Sequence, residues 1–157
     1  MTSIEIVTTV KVVGYSELTI DDRRLVDAAR ESIFKAYAPY SRFRVGAAIA
    51  LTNGEIVTGS NQENIAYPSG LCAERVACFY AHSQYPEARF NTIAIAACDV
   101  NGSELQLPIS PCGSCRQALL EYETLAGSNV RVILVGVKEI YILPSVKSLL
   151  PLAFSEF

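Results

Sequence analysis

Three of the five cysteines in this sequence have a spacing that suits a metal ion. Cys112 and Cys115 lie three residues apart at the predicted start of a helix, and Cys72 lies near the predicted start of an earlier helix. Residues three apart share one helix face, and the N–H groups at a helix N-terminus favour the thiolate form of cysteine. Three thiolates would leave the fourth position of a tetrahedral zinc ion open, as in catalytic rather than structural zinc sites.

The spacing of these cysteines also permits roles other than catalytic zinc binding. A Cys-x-x-Cys pair alone can be a redox pair or a chance spacing. A closed structural zinc site would need a fourth ligand, for which Cys78, Cys98 and His82 are the candidates. Cys78 lies nearly two helical turns after Cys72, and Cys98 ends an apolar segment, so both are expected in the core. His82 is expected on the solvated surface.

Two charged residues follow Cys72 closely. Glu74 would lie in the first turn of the helix, where its carboxylate could take a proton from zinc-bound water and pass it on. The alternative is that Glu74 only favours the helix N-terminus, as acidic residues do in general. Arg75 could draw negative charge away from the sulfurs of a three-thiolate zinc site, or it could be an ordinary surface arginine.

The elements that must position these residues alternate between helices and strands. Residues 3–13 are β-branched and are expected to form an extended arm or edge strand. Helices are predicted from Thr19 to about Ala38, over 71–83 and over 145–150. A further helix is predicted to run to about Ala126, with Ser110 as its cap and Pro111 at its first position. Strands are predicted over 45–51, 55–59, 91–98, 130–135 and 139–143, with a hairpin turn at Asn53-Gly54 and a loop over 60–70. This order predicts an α/β domain built on one mixed sheet.

Length and composition limit the classes of protein to consider. The 157 residues are half hydrophobic and carry a net charge of −3, which excludes a disordered chain and gives no basic excess for binding nucleic acid. No stretch approaches the ~20 apolar residues of a membrane span. The N-terminus lacks a basic segment followed by an apolar run, so a cytoplasmic location is expected. We expect a single domain over 1–157, with an N-terminal extension of unknown role over 1–15.

The cysteine motifs resemble those of a known enzyme family. Residues 72–75 (Cys-Ala-Glu-Arg) and 111–117 (Pro-Cys-Gly-Ser-Cys-Arg-Gln) resemble the zinc motifs of the zinc-dependent cytidine deaminases. Residues 40–48 resemble the entry to that family's first strand, and residues 59–64 resemble its nucleoside-binding loop. The resemblance covers about residues 30–120 well. It implies a three-layer α/β/α fold with one mixed, five-stranded sheet.

The resemblance also implies a role for each matching residue. The zinc ligands would be Cys72, Cys112 and Cys115, with one zinc ion per subunit, and Glu74 would be the proton shuttle. The substrate contacts would be Asn61 and Glu63 to the ribose, the backbone of Ala73 to the pyrimidine ring, and Phe43 against the nucleoside.

The C-terminal segment adds a possible contact between subunits. Residues 149–154 resemble the C-terminal segment of the family's small homotetrameric members, in which a phenylalanine reaches a neighbouring active site and stacks on the base. Phe154 is the candidate here, although it could instead cap its own core. Tyr40 is a second candidate for the aromatic wall.

The expected activity is the hydrolytic deamination of cytidine and 2′-deoxycytidine to uridine and 2′-deoxyuridine, a reaction of pyrimidine salvage. Zinc-activated water would be the nucleophile and Glu74 the proton shuttle. One alternative is a related deaminase with another aminopyrimidine substrate, such as a blasticidin-type nucleoside. Another is a zinc-stabilised binding module without catalytic activity. No nucleic-acid polymer or membrane is expected as a partner.

Overall fold

The fold is an α/β arrangement around one mixed sheet. The computed structural model describes residues 1–155, and Glu156 and Phe157 lie outside the described residues. Its strands are β1 (Lys11–Val13), β2 (Arg44–Leu51), β3 (Ile56–Ser60), β4 (Phe90–Cys98), β5 (Arg131–Val135) and β6 (Ile140–Leu143). Its α-helices are α1 (Ile20–Ser32), α2 (Ala73–Gln84) and α3 (Gly113–Ala126).

The strands follow the order β1-β6-β5-β4-β2-β3 in the sheet. The β4–β5 pair is parallel, and the other neighbouring pairs are antiparallel. The expected α/β class with one mixed sheet is therefore confirmed.

The expected strand count is corrected from five to six for residues 1–155. The additional strand is β1, which pairs with β6 from Lys11↔Ile142 to Val13↔Ile140. Without β1, the edge of β6 would offer unpaired N–H and C=O groups, and a β-branched segment can form hydrogen bonds with them as an added strand. The preceding residues 3–10 form no strand and are exposed.

Helices cover both faces of the sheet, as a three-layer architecture requires. One apolar cluster joins α1 to one face of the sheet, for example Ala29 to Ala48 and Ala94. A second cluster joins α2 and α3 to the other face, which carries Ala47 and Ile49. Side chains at successive strand positions point to opposite faces, so the apolar run in β2 serves both clusters.

Two glycines allow the helices to lie close to the sheet. A Cβ added at Gly46 in β2 would lie 2.1 Å from the Ala29 carbonyl oxygen of α1. A Cβ added at Gly59 in β3 would lie 2.4 Å from the Ala77 nitrogen of α2. The position of α2, which begins beside Cys72, therefore depends on the missing side chain at Gly59.

The first helix is shorter than predicted. Thr19 caps it as expected, because its hydroxyl accepts a hydrogen bond from an N–H of the first turn at 3.1 Å. However, α1 ends at Ser32 and a 3₁₀ turn follows over Ile33–Lys35, whereas the prediction extended the helix to about Ala38. The backbone N–H of Tyr37 instead donates to a carbonyl of the loop after β3 at 2.9 Å. Ala38, the residue directly before Pro39, is in any case disfavoured in helical backbone.

The third helix begins later than predicted. Its N-cap is Cys112, with φ −66° and ψ 165°, rather than Ser110, and Pro111 precedes the helix. The Pro111 carbonyl accepts a hydrogen bond from Arg116 Nε at 2.8 Å instead of starting the helical ladder.

The remaining elements follow the predictions closely. The turn at Asn53-Gly54 is confirmed, with Gly54 at φ 88°. The short C-terminal helix is a 3₁₀ helix over Val146–Leu149, capped by the Ser145 hydroxyl. Within residues 1–155, no helix combines the length and the apolar content needed to cross a bilayer.

Candidate metal centre and adjoining pocket

The three predicted cysteines meet at one point. Their sulfur atoms all lie within 4.8 Å of one another, with 3.9 Å between Cys72 and Cys112 and 3.4 Å between Cys112 and Cys115. Among residues 1–155 this is the one group of three or more His, Cys, Asp or Glu side chains able to hold a metal ion.

Two helix N-termini bring the sulfurs together. Cys72 is the N-cap of α2 and Cys112 is the N-cap of α3, and neither side chain caps a backbone N–H of its helix. Cys115 lies in the first turn of α3, three residues after Cys112 and on the same side. The partial positive charge at both helix ends therefore faces the sulfurs and favours thiolates.

The other candidate ligands lie elsewhere. Cys78 and Cys98 are buried, as predicted for core thiols, and burial raises the pKa of Cys78 to about 12. His82 corrects the prediction of a solvated side chain, because it is half-buried and its ring lies 5.5 Å from the ring of Tyr122. Packing of α2 against α3 covers this histidine, and its Nδ1 has no hydrogen-bond partner within the described chain.

Arg75 supplies the positive charge nearest to the sulfurs. Its Nη2 lies 3.7 Å from the Cys72 sulfur, and its Nε is buried without a partner among residues 1–155. A hydrogen bond with Cys115 lowers the pKa of Cys72 to about 5, and Arg75 contributes to the same shift. The pKa of Cys115 is raised, mainly by that hydrogen bond with Cys72 and also by burial.

Glu74 lies buried in the first turn of α2, with 5% of its surface exposed. Burial is the main cause that raises the pKa of this carboxyl, and the negative charge of Cys72 raises it further. A carboxyl with a raised pKa takes up and releases protons closer to neutral pH, which suits a group that transfers protons.

The cluster fits a zinc ion in both chemistry and size. Soft thiolate ligands favour zinc over magnesium or calcium. Zn–S bonds of about 2.3 Å in a tetrahedron place sulfurs roughly 3.8 Å apart, close to the separations of 3.4 and 3.9 Å found here. The buried, unpaired Nε of Arg75 also fits a centre that carries excess negative charge.

A cavity of about 440 Å³ adjoins the metal centre. The residues that line it are Tyr40, Ser41, Asn61, Gln62, Glu63, Asn64, Tyr67, Gly70, Leu71, Cys72 and Arg75. This volume is in the range of small-molecule sites. The predicted residues Tyr40, Asn61 and Glu63 therefore share one cavity with Cys72 and Arg75.

The remaining predicted residues do not line this cavity. Phe43 is half-buried and packs against the core cluster on the α2 side of the sheet, and Ala73 is completely buried at the start of α2. Glu74 is buried as well. Phe154 has 70% of its surface exposed, and its carbonyl accepts a hydrogen bond from Gln117 at 2.8 Å.

Two polar residues of the cavity are hydrogen-bonded to residues 40–45, which lead into β2 and form its start. Asn61 accepts a hydrogen bond from Val45 N–H at 2.8 Å and donates one to the Phe43 carbonyl at 2.9 Å. Glu63 accepts hydrogen bonds from the N–H groups of Tyr40 and Ser41 at 2.9 and 3.2 Å. Asn61 keeps one amide hydrogen and one lone pair, so it can still bind a ligand.

Sequence reasoning assigned no individual role to six residues of this cavity, and two of these six contact predicted residues. Ser41 donates its hydroxyl hydrogen bond to Glu63. Tyr67 packs edge-on against Tyr40 with the ring centroids 5.9 Å apart. No local sequence signal marks Ser41, since its partner lies 22 residues away, and Tyr67 stands in a loop whose composition predicts only turns.

Comparison with known proteins gives a consistent result. A family model described as the cytidine and deoxycytidylate deaminase zinc-binding region matches residues 19–127. The chain is 37% identical over 136 residues to a cytidine deaminase of Halalkalibacterium halodurans. That alignment covers 87% of this chain and 96% of the relative. The chain is 38% identical over 137 residues to a cytidine deaminase of Sporosarcina psychrophila, with 87% and 93% covered.

The fold has counterparts among solved structures. The crystal structure of cytidine deaminase from Burkholderia pseudomallei matches with a TM-score of 0.72 at 36% identity. The match covers 87% of this chain and 100% of that chain. The three-layer fold expected from the resemblance is therefore confirmed, with one strand added at the sheet edge.

Proposed function

The chain belongs to the cytidine and deoxycytidylate deaminase family, and on that premise we propose that it hydrolyses cytidine and 2′-deoxycytidine to uridine and 2′-deoxyuridine with release of ammonia. The observation that carries the proposal is the meeting of three cysteine sulfurs at two helix N-termini beside a buried glutamate. We take residues 1–157 as one deaminase domain.

Zinc is the cofactor, and we assign Cys72, Cys112 and Cys115 as its ligands. When bound by these three thiolates, zinc supplies the Lewis acidity that lowers the pKa of a coordinated water toward neutrality. Arg75 lies against the Cys72 sulfur and draws charge from the thiolates, which preserves that acidity.

Glu74 moves the protons of the reaction. Its carboxylate accepts a proton from the attacking water and delivers it to N3 of the pyrimidine. After the hydroxyl has added to C4, the same carboxylate takes the remaining proton of that hydroxyl and delivers it to the amino group on C4. The C4–N bond then breaks, ammonia leaves, and the C4 carbonyl of the uridine product forms. The burial that raises the pKa of Glu74 supports this role, because the group must both gain and lose a proton near neutral pH.

The cavity residues bind the nucleoside. Asn61 and Glu63 hydrogen-bond the ribose, since an amide and a carboxylate together offer donors and acceptors to sugar hydroxyls. Tyr40 provides apolar surface for the base. Phe43 and the backbone of Ala73, which do not line the cavity, are assigned to the nucleoside and to the pyrimidine ring by the family resemblance alone.

Phe154 completes the base site from a neighbouring subunit in a homotetramer. The large exposed fraction of its side chain supports this assignment over a place in the core of its own subunit. We place the enzyme in the cytoplasm, as a catalyst of pyrimidine salvage that acts on small nucleosides. Size-exclusion chromatography with light scattering tests the tetramer.

Replacement of the proton shuttle tests the proposed mechanism. We expect Glu74→Gln to retain zinc and to lose about 10²- to 10⁴-fold in kcat, the range for a general acid–base. Zinc content and loss of cytidine absorbance are measured on the same preparation. Glu121→Gln, at an exposed glutamate of α3, is the control. Near-normal turnover by the Glu74→Gln enzyme would contradict the role of Glu74.

Substrate comparison tests the proposed activity against the alternatives. Cytidine, 2′-deoxycytidine, free cytosine and blasticidin S are compared by ultraviolet absorbance. We expect the two nucleosides to be deaminated fastest. Preference for blasticidin S would favour the alternative deaminase, and bound zinc without ammonia release would favour a non-catalytic module.

A further inference from the structure

Glu63, the proposed ribose ligand, depends on a neighbouring serine for its position. One carboxylate oxygen of Glu63 accepts the hydrogen bonds from Tyr40 N–H and Ser41 N–H. The other carboxylate oxygen accepts a hydrogen bond from the Ser41 hydroxyl. Without that hydroxyl, the second oxygen would lose its partner and the carboxylate could rotate about the bonds of its flexible side chain.

The direction of the Ser41 hydroxyl is itself fixed. Its oxygen accepts a hydrogen bond from Phe43 N–H at 3.0 Å, so its single proton is left to donate to Glu63. Hydrogen bonds in such a chain strengthen one another. The same hydroxyl therefore orients the carboxylate and closes the turn that leads into β2.

That turn contains the one residue other than glycine with a positive φ in the described chain. Arg42, between Ser41 and Phe43, has φ 58°. Such a conformation costs free energy and persists only where surrounding contacts enforce it. The hydrogen bonds of Ser41 on both sides of Arg42 are contacts of this kind.

The turn also reaches the second proposed ribose ligand. The Phe43 carbonyl accepts the hydrogen bond from the Asn61 side chain. Ser41 thus contacts Glu63 directly and is linked to Asn61 through the Phe43 backbone. Both residues line the cavity beside the metal centre.

We infer that Ser41 is a positioning residue, whose hydroxyl holds the Glu63 carboxylate in the orientation that binds the sugar of the nucleoside. This inference rests on the proposed function. It goes beyond it by assigning part of the recognition of the sugar to a residue that need not contact the substrate.

The protonation state of Glu63 is consistent with this arrangement. Burial raises the pKa of Glu63, but the hydrogen bonds from the Ser41 hydroxyl and from the N–H groups of Tyr40 and Ser41 outweigh it and lower the pKa below its ordinary value. The carboxylate is therefore ionised and can accept hydrogen bonds from a sugar hydroxyl.

The experiment compares Ser41→Ala with the unchanged enzyme on two substrates, cytidine and 2′,3′-dideoxycytidine. We expect the KM for cytidine to rise about tenfold, as when a charge-assisted hydrogen bond is misaligned, with kcat within about twofold. The KM for the dideoxynucleoside, which lacks the 2′- and 3′-hydroxyls, should change less than about twofold. Ser41→Thr keeps a hydroxyl and should restore the KM for cytidine. Ser83→Ala, at an exposed serine at the end of α2, is the control.

A double-mutant cycle separates positioning from a general structural effect. In a Glu63→Ala background, Ser41→Ala should add little to the KM for cytidine, because there is no carboxylate left to orient. Four results would each overturn the inference. They are an equal rise in KM for both substrates, a lowered kcat with unchanged KM, a Ser41→Thr enzyme whose KM for cytidine is not restored, and additive effects of the two substitutions on KM. If the unchanged enzyme does not deaminate cytidine, the proposed function fails first. If the unchanged enzyme deaminates cytidine and the Ser41→Ala enzyme has the same KM and kcat, only the role of Ser41 fails.

Discussion

Glu123 is a buried carboxylate that holds the end of the chain to α3. One of its oxygens accepts hydrogen bonds from Val130 N–H at 2.9 Å and Val146 N–H at 2.7 Å, and the other accepts one from Lys147 N–H at 3.2 Å. Only 5% of its surface is exposed. Three backbone N–H groups therefore offset the cost of burying this carboxylate.

Replacement of this carboxylate should destabilise the protein. Glu123→Gln keeps one oxygen but turns an amide NH₂ toward a backbone N–H, so we expect a loss of about 1–3 kcal/mol in the free energy of unfolding. Urea unfolding measures it, with Glu121→Gln on the exposed side of the same helix as the control. Equal stability of the two variants would mean that the three hydrogen bonds contribute little.

At the scale of residues, spacing predicted the reactive groups but not the groups that hold them. Cys112 and Cys115 share a helix face, and Glu74 follows Cys72 at short range, so their proximity could be predicted locally. Glu123 and Ser41 pair with groups 23 and 22 residues away. No local pattern distinguishes such a glutamate or serine from an exposed one.

At the scale of elements, α2 is placed by its contact with β3. The helix backbone passes so close to Gly59 that an added Cβ would lie 2.4 Å from Ala77 N and 2.7 Å from the Ala73 carbonyl oxygen. Backbone atoms cannot move aside as a flexible side chain can. Because Cys72 and Glu74 lie at the start of this helix, a shift of α2 would also displace the metal centre.

A methyl group at Gly59 should therefore affect both stability and activity. We expect Gly59→Ala to cost about 1–3 kcal/mol of unfolding free energy through overpacking, and a displacement of about 1 Å at the site to cost up to about 10²-fold in kcat/KM. Thermal unfolding, zinc content and cytidine turnover are the measurements.

The matched control for this change is Gly14→Ala. There an added Cβ would meet only the carboxylate end of the flexible Glu17 side chain, at 3.3 Å, in ordinary extended backbone. Full activity and stability of the Gly59→Ala protein would show that α2 can move away from β3 without disturbing the site.

Element types were predictable because their patterns are local, whereas two of their ends were not. The apolar runs of β2 and β4 and the Asn53-Gly54 turn are sequence-local signals. Between the end of α1 and β2, the Tyr37 N–H bonds to the loop after β3, and just before α3 the Pro111 carbonyl accepts a hydrogen bond from the Arg116 side chain. Both contacts exist only once the chain has folded.

At the scale of the whole molecule, sheet order creates the site. The helices α2 and α3 flank β4 in the sequence and lie on the same face of the sheet, so their N-termini can meet although Cys72 and Cys112 are 40 residues apart. The parallel β4–β5 pair requires a crossover, which α3 provides. The sequence indicated the elements, but the strand order emerges only from their packing.

The N-terminal arm, residues 1–13, lies outside the residues 19–127 that the family model matches. Its contacts lie at the far edge of the sheet, where β1 pairs with β6 and the Thr8 hydroxyl donates to the Ser148 carbonyl at 3.0 Å. None of residues 1–13 lines the cavity beside the metal centre. We therefore expect the arm to contribute to stability and solubility rather than to turnover.

Two truncations test this division. Removal of residues 1–9 deletes the exposed segment and the Thr8 hydrogen bond, and should change the free energy of unfolding by less than about 1 kcal/mol. Removal of residues 1–13 also deletes β1 and exposes the edge of β6, which should lower the free energy of unfolding by about 1–3 kcal/mol. It should also increase self-association, because the exposed edge offers unpaired backbone groups. Urea unfolding and light scattering measure these effects, and kcat/KM for cytidine should stay unchanged in both proteins. A loss of kcat/KM in the shorter truncation would instead give the arm a part in the active site, since that protein retains every strand of the sheet.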